Sequence, residues 1–219
     1  MSTSTPSREE RQKRSTEISD TLDWMRKSYL PHPDERIYFK IPDARQVLYD
    51  YFEHFVSVYH RNFVWLPEYE KIAEWLSDNE GLGLFMYGNN GRGKSFLGRY
   101  VLPAILLRYA GKIVRTADVQ EMNRDIETML NRKVISIDDV GTEEILNHYG
   151  NKRLAFAEIM DAVEKHEKLI IVSTNLNDEQ IADRYGDRVL DRIIATTRRV
   201  LFSGESMRRR ILPEGESSI

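Results

Sequence analysis

Five short apolar runs, separated by segments long enough for a helix, occupy the chain after residue 82. Apolar strands that alternate with helices are typical of a parallel sheet covered by helices on both faces. We therefore predict an α/β fold with a five-stranded parallel sheet. The predicted strands are residues 84–87, 113–116, 134–137, 169–173 and 199–203.

The remaining segments repeat apolar residues at helical spacing. Before the first strand, a helix is expected from Pro42 to about Tyr59 and another over residues 68–76. Their aromatic residues are interpreted as core rather than as a surface that stacks bases. Further helices are expected from the loop after the first strand to residue 109, as one short polar helix between 118 and 134, and over 152–166 and 180–194.

The first 60 residues differ in character from the rest. Residues 1–20 are mainly Ser, Thr, Arg, Lys and Glu, so we expect a tail that is disordered until bound. The next segment carries Leu22, Trp24 and Met25, and forms either a helix that faces a partner or a strap on its own domain. We expect four segments along the chain. Residues 1–20 form a tail, residues 21–60 a helical extension that could bind a partner, residues 61–212 a core and residues 213–219 a C-terminal tail.

Composition excludes several classes of protein and several kinds of site. The 219 residues carry a net charge of −3, with 41% hydrophobic and 31% charged residues, which excludes a globally basic nucleic-acid coat. The absence of cysteine excludes disulfide scaffolds, thiolate metal sites and cysteine nucleophiles. The N terminus has no apolar signal region and no run is long enough to span a membrane. We expect a cytoplasmic protein with no membrane contact.

The loop after the first strand reads GNNGRGKS and fits GxxxxGK followed by Ser or Thr. Glycines let backbone N–H groups turn inward toward phosphate oxygens, and the helix that follows directs its positive end at the anion. Lys94 is expected to reach the β and γ phosphates, and the Ser95 hydroxyl to bind Mg²⁺. The predicted nucleotide contacts are Gly88, Asn89, Asn90, Gly91, Arg92, Gly93, Lys94, Ser95 and Phe96.

Two acidic residues end the third predicted strand, 44 residues after the loop lysine. Asp138 is expected to hold Mg²⁺ through its water shell, and Asp139 to orient or deprotonate the attacking water. Ser173, Thr174 and Asn175 end the next strand, where an amide could bind that water or the γ phosphate. The histidines show no spacing typical of a metal site.

Arginines cluster toward the end of the chain. Arg188 and Arg192 are four residues apart on one predicted helical face, and Arg208 follows the last strand. A guanidinium can neutralise charge on a γ phosphate, often that of a neighbouring subunit. Residues 192–210 contain six arginines and one acidic residue. This excess of positive charge would also suit binding to the phosphate backbone of a nucleic acid.

Taken together, these segments resemble a known family. GNNGRGKS, ISIDDVGTEE, IIVSTNLNDEQI, YGDRVLDRI and LFSGESMRRR, in this order, are similar to the AAA+ ATPases of the bacterial helicase-loader group, the DnaC and DnaI type, and to the related IstB transposition helpers. The resemblance covers about residues 60–212. It implies a P-loop NTPase core that binds ATP and Mg²⁺, self-associates with ATP and contacts single-stranded DNA.

The resemblance also implies roles for residues. Asn175, with Thr174 beside it, takes the sensor 1 position, Arg192 or else Arg188 is the arginine finger, and Arg208 takes the sensor 2 position. The implied function is a replicative helicase loader, with a replicative DNA helicase as partner. The alternative is an IstB-like ATPase that assists a transposase. Two further readings stay open: a monomeric P-loop kinase and a nucleotide-binding adaptor without useful hydrolysis.

The chain departs from the family in three places. Asp139 stands where most AAA+ proteins have Glu, so hydrolysis is expected to be slow. One short helix between 118 and 134 replaces a longer segment that helps loaders to bind DNA. The chain printed after residue 210 is too short for a helical lid.

Overall fold

A central parallel sheet organises the chain. The structure is a computed structural model that describes residues 7–30, 33–142, 146–148 and 151–207. Its strands are β1 (Gly83–Gly88), β2 (Arg115–Asp118), β3 (Val134–Val140), β4 (Leu146–His148), β5 (Asn151–Arg153), β6 (Leu169–Thr174) and β7 (Thr197–Phe202). Five of them form the predicted five-stranded parallel sheet, with the strand order β2-β3-β6-β1-β7. The strands β4 and β5 form an antiparallel pair that was not predicted.

The described residues also form helices. They are α1 (Arg8–Lys27), α2 (Ala44–Ser57), α3 (Pro67–Ser77), α4 (Lys94–Phe96), α5 (Leu102–Ala110), α6 (Val119–Arg124), α7 (Ile126–Leu130), α8 (Ala155–Lys165), α9 (Asp178–Tyr185) and α10 (Asp187–Thr196). A π-helical turn, Leu97–Val101, joins α4 to α5.

The strands alternate their side chains between two hydrophobic clusters. In β6, Ile171 packs on one face with α2, α3 and α5, whereas Ile170 and Val172 pack on the other with α8, α9 and α10. In β1, Met86 packs on the same face as Ile171, and Phe85 packs on the opposite face. Because both faces are covered, these strands are apolar throughout rather than at every second position. The α/β fold with helices on both faces of the sheet is confirmed.

Residues 1–35 form one compact unit and residues 36–219 another. In the first unit, the Ser7 hydroxyl accepts a hydrogen bond from the Glu10 N–H, and the Glu10 carboxylate accepts one from the Ser7 N–H. This capping box begins α1, so the expected disordered tail is corrected over residues 8–20, which are helical. No residue of α1 is buried.

The expected extension, 21–60, does not form one unit. The division falls after Glu35, and α2 belongs to the second unit, where Leu48 and Phe52 are part of the core cluster. The apolar spacing in α2, interpreted as core, is confirmed. Three helix predictions are corrected: the segment between 118 and 134 holds two short helices, the helix expected from 152 begins at Ala155, and the one expected over 180–194 is two helices that meet at Gly186.

The break at Gly186 has a local cause. Its φ of 91° and ψ of 154° lie in a region that only glycine occupies readily, so α9 ends there and α10 begins. Within the described residues, no helix is both long and apolar enough to cross a bilayer.

Candidate functional site

The glycine loop joins β1 to α4 and is shaped by positive φ angles, 111° at Gly88, 73° at Gly91 and 92° at Gly93. A Cβ on Gly88 would lie 2.3 Å from the Phe202 carbonyl oxygen, and one on Gly93 would lie 2.6 Å from the Tyr69 hydroxyl oxygen. Glycine is therefore required here by contacts inside the protein, whether or not a phosphate is bound.

Lys94 is the first residue of α4 and is buried. Its Nζ donates to the Gly88 and Asn89 carbonyl oxygens, at 2.8 Å each, and to Asn175 Oδ1 at 3.0 Å. The ammonium group thus lies between the loop and the end of β6. Two predicted site residues that are 81 positions apart in the chain meet at this point.

A cavity of about 660 Å³ opens beside the loop, a volume that suits a nucleotide-sized ligand. Most of the predicted loop contacts line it, together with Asp139 and Asn175 at the ends of β3 and β6. On its other side the wall is largely aromatic and apolar. Its lining includes Asn90, Gly91, Arg92, Gly93, Lys94, Ser95, Phe96, Arg99, Asp139, Asn175, Val56, Tyr59 and Phe63.

The two acidic residues of β3 sit at a bulge. The pairing of β3 with β6 shifts between Ile137 and Val140, and Asp139 has a φ of 57°. A bulge turns a side chain away from its regular direction, and Asp tolerates this left-handed conformation better than most residues. As a result Asp138 is buried, whereas Asp139 is exposed and lines the cavity.

Ser173 links both acidic residues to β6. Its hydroxyl donates a short hydrogen bond to Asp138 Oδ1 and accepts one of 3.1 Å from the Asp139 N–H. The other Asp138 oxygen, Oδ2, lies 3.8 Å from Nη1 of Arg99, which lines the cavity from the π-helical turn. Asp138 itself does not line the cavity, whereas Ser95 does. Carboxylate and hydroxyl oxygens are donors of the kind that Mg²⁺ prefers.

Residues at the end of β6 divide between structural and site roles. The Thr174 hydroxyl donates to the Val140 carbonyl oxygen at 2.5 Å and accepts from the Leu176 N–H at 3.1 Å, so it supports the turn. Asn175 faces the cavity and Lys94. Of these two neighbours, Asn175 lines the cavity and Thr174 does not.

The candidate finger residues both lie on α10 but differ in their surroundings. Arg192 is buried, and its guanidinium donates to Glu164 at 2.7 Å and pairs with Asp161, which together raise its pKa. Arg188 is exposed. Arg208 lies outside the described residues.

Sequence reasoning missed three contributors to the site. Ser173 was recognised as a strand end, but its bond to Asp138 depends on the register of β6 against β3. Arg99 reaches Asp138 from a π-helical turn that has no sequence signature. Glu68 binds Arg92 from α3, outside any motif, with Nε to Oε1 at 2.5 Å and Nη2 to Oε2 at 2.9 Å.

Comparison with known proteins finds similar chains among solved structures. No family model and no curated protein matches the chain. Among solved structures, the chain is similar to a DnaC helicase loader, with 21% identity, a TM-score of 0.48 and coverage of 79% of this chain and 94% of that one. It is also similar to DnaI, with 18% identity, a TM-score of 0.47 and coverage of 58% and 73%.

A third similar structure is DnaA from Aquifex aeolicus with bound AMPPCP. It shares 18% identity with a TM-score of 0.46, over 64% of this chain and 48% of that one. Two of these structures are of the DnaC and DnaI type that the sequence resembles, and all three TM-scores lie below 0.5. At these identities the function has to be argued from the site.

Proposed function

We propose that this protein is an ATPase that binds ATP with Mg²⁺ in the cavity beside the glycine loop. The observation that carries the proposal is the hydrogen bond from Lys94 Nζ to Asn175 Oδ1, 3.0 Å long. It brings a phosphate-binding lysine and a polar sensor to one point, beside the two acidic residues of β3. A phosphate held there would contact loop N–H groups, the ammonium group and the amide together.

Each polar residue has a proposed part in hydrolysis. Asp138 and Ser95 would hold Mg²⁺, whose charge would screen the charge of the phosphates. Asp139 accepts a proton from the water that attacks the γ phosphorus, and Asn175 orients that water as the bond to the β-phosphate oxygen breaks. Because Asp is one methylene shorter than Glu, slow turnover is expected.

The aromatic side of the cavity is the proposed place for the base. Val56, Tyr59 and Phe63 line the wall beyond the loop, and Phe96 stacks on Phe52 with ring centroids 5.4 Å apart. A flat, apolar base gains from burial against such a surface, while the triphosphate lies over the loop.

Arg188 is the better candidate for a finger that acts on a neighbouring subunit. A finger must reach out of its own subunit, and Arg188 is exposed on α10. Arg192 is held by two acidic residues of α8 and is better explained as a link between α8 and α10. Arg208 stays a proposed sensor 2 residue. Self-association with ATP is part of this proposal.

At the level of biology, we propose a replicative helicase loader that assembles with ATP and contacts single-stranded DNA. The order of motifs supports this proposal, and an IstB-like helper of a transposase shares those motifs. Pull-down with a replicative helicase and, separately, with a transposase distinguishes the two. Retention of the helicase with ATP is expected; retention of the transposase alone would replace the proposal with the alternative.

The ATPase proposal is tested by nucleotide titration and phosphate release. Lys94→Ala is expected to weaken ATP binding about 100-fold, because truncating one member of a charged contact costs several kcal/mol. Lys71→Ala, an exposed lysine on α3, is the matched control and should bind like the wild type. Binding without phosphate release would indicate an adaptor. A wild type that stays monomeric with ATP in sedimentation would favour the kinase reading.

A further inference from the structure

The arginine inside the glycine loop is held by the protein itself. All three guanidinium nitrogens of Arg92 donate hydrogen bonds: Nε and Nη2 to the two Glu68 oxygens, at 2.5 and 2.9 Å, and Nη1 to the Glu205 carbonyl oxygen, at 3.0 Å. Both side chains of the pair are buried, 8% and 7% exposed. The sequence had placed Arg92 among the nucleotide contacts, but its charge is already neutralised by a carboxylate.

Further hydrogen bonds hold the loop from the α3 side. The Tyr69 hydroxyl donates to the Arg92 carbonyl oxygen at 3.0 Å, and burial raises the pKa of that hydroxyl, which stays protonated as a donor. Glu68 Oε1 also accepts from the Ser203 N–H at 3.2 Å. Glu68 therefore contacts both the loop and the segment that follows β7.

The segment after β7 holds the loop from the other side. The Met207 N–H donates to the Gly91 carbonyl oxygen at 2.9 Å, and Asn89 Nδ2 donates to the Gly204 carbonyl oxygen at 2.9 Å. The loop is thus fixed between α3 and residues 203–207. The Arg92–Glu68 pair connects these two supports, because Arg92 reaches Glu205 and Glu68 reaches Ser203.

We propose that Arg92 and Glu68 are a positioning pair that holds the loop in its phosphate-binding conformation, and that the Arg92 guanidinium does not bind phosphate. The inference rests on the proposed nucleotide site and deepens it. A loop whose N–H groups are already aligned loses less freedom when the anion binds, so its affinity is higher. Nucleotide affinity therefore depends on a residue of α3 outside the motif.

The two roles that Arg92 could have predict different results. If the pair positions the loop, Glu68→Gln and Arg92→Gln each weaken ATP and ADP binding by a similar factor, roughly 10 to 100-fold, as is typical when a supporting residue is removed. The double variant is then no worse than either single one, because the same interaction has already been lost. If Arg92 binds phosphate, Arg92→Gln weakens binding, whereas Glu68→Gln releases the guanidinium and does not.

The experiment is titration of the full chain with fluorescent ATP and ADP, at a temperature where circular dichroism shows every variant folded. The control is Glu70→Gln on α3, the helix that also carries Glu68. It alters an exposed pair with Arg45 of α2 and should leave nucleotide affinity unchanged. Where a Gln variant does not fold, Arg92→Lys and Glu68→Asp replace it, since each keeps the charge but loses the two-pronged geometry. Equal loss in both single variants, with no further loss in the double variant, supports the proposal.

Other results overturn it. Wild-type affinity in the Glu68 variants, or loss of ATP but not ADP binding in the Arg92 variant, would show that the pair does not position the loop. A wild type that binds neither nucleotide would overturn the proposed function as well. The two failures are distinguishable, because in the first the wild type binds and Lys94→Ala does not.

Discussion

Asp139 combines backbone strain with a position on the cavity. Its φ of 57° costs a non-glycine residue on the order of 1 kcal/mol, and the bulge that imposes this angle also separates Asp139 from the buried Asp138. Residues in strained conformations are frequent where a side chain has to be aimed at a ligand. This conformation therefore fits a residue retained for its chemistry rather than for stability.

Substitution of Asp139 by Asn should separate binding from hydrolysis. Asn tolerates the same backbone conformation and keeps the size of the side chain, but it accepts a proton far less readily. We expect phosphate release to fall about 100-fold or more, with ATP affinity and thermal stability close to those of the wild type. Nucleotide titration, phosphate release and a melting curve check this; unchanged phosphate release would contradict the assignment.

Glu68 should make stability depend on pH in the acidic range. Burial raises its pKa, but the hydrogen bonds from Arg92, from its own N–H and from the Ser203 N–H, with the charge of Arg92, together outweigh burial and hold the pKa below the ordinary value of 4.5. Its contribution is therefore complete above that value and is lost as the pH falls through the lower pKa of the folded state. Removing one member of a buried pair costs about 3 to 5 kcal/mol near neutral pH.

The measurement is urea unfolding of the wild type and Glu68→Gln from pH 7 to pH 3.5. The difference in free energy of unfolding should be largest at pH 7 and shrink below pH 4.5. The exposed-pair variant Glu70→Gln provides the baseline for general acid effects. A difference that stays constant over this range would mean that Glu68 is not ionised in the folded protein.

At the scale of elements, apolar runs and a glycine motif were enough to predict the five-stranded sheet, the loop and the strand ends that carry Asp138 and Asn175. Two kinds of feature could not be predicted. The break between α9 and α10 depends on one glycine inside a continuous amphipathic pattern, and the Arg92–Glu68 pair joins residues 24 apart that share no motif. The local backbone of one glycine decides the first, and a tertiary contact decides the second.

Gly186 offers a test of that break. An added Cβ would meet no atom within 4 Å, so any cost of Gly186→Ala arises from its backbone conformation alone. We expect a loss of about 1 to 3 kcal/mol in the free energy of unfolding. Gly111→Ala is the matched control, because that site is equally open and its φ of 62° is more accessible to alanine. A smaller loss at Gly186 than at Gly111 would refute this explanation.

At the scale of the whole molecule, the site described here is incomplete without a neighbour if Arg188 acts between subunits. The variants Lys94→Ala and Arg188→Ala should each be inactive, since one lacks nucleotide binding and the other lacks the finger. Mixed together, they should regain part of the phosphate release, because Lys94→Ala subunits supply Arg188 to intact sites. No recovery on mixing would argue against a finger in trans.

Arg192→Ala should lower the free energy of unfolding by roughly 1 to 3 kcal/mol but retain turnover.

The residues that hold the glycine loop in place are synthesised after the loop itself. β1 is paired with β6 and β7, and Asn89 is hydrogen-bonded to Gly204, 115 positions later in the chain. A ribosome completes the phosphate loop long before it makes the residues that hold that loop in place. We therefore expect that a nascent chain cannot bind nucleotide until residues 203–207 have emerged, so that ATP stabilises the core only after β7 has been made.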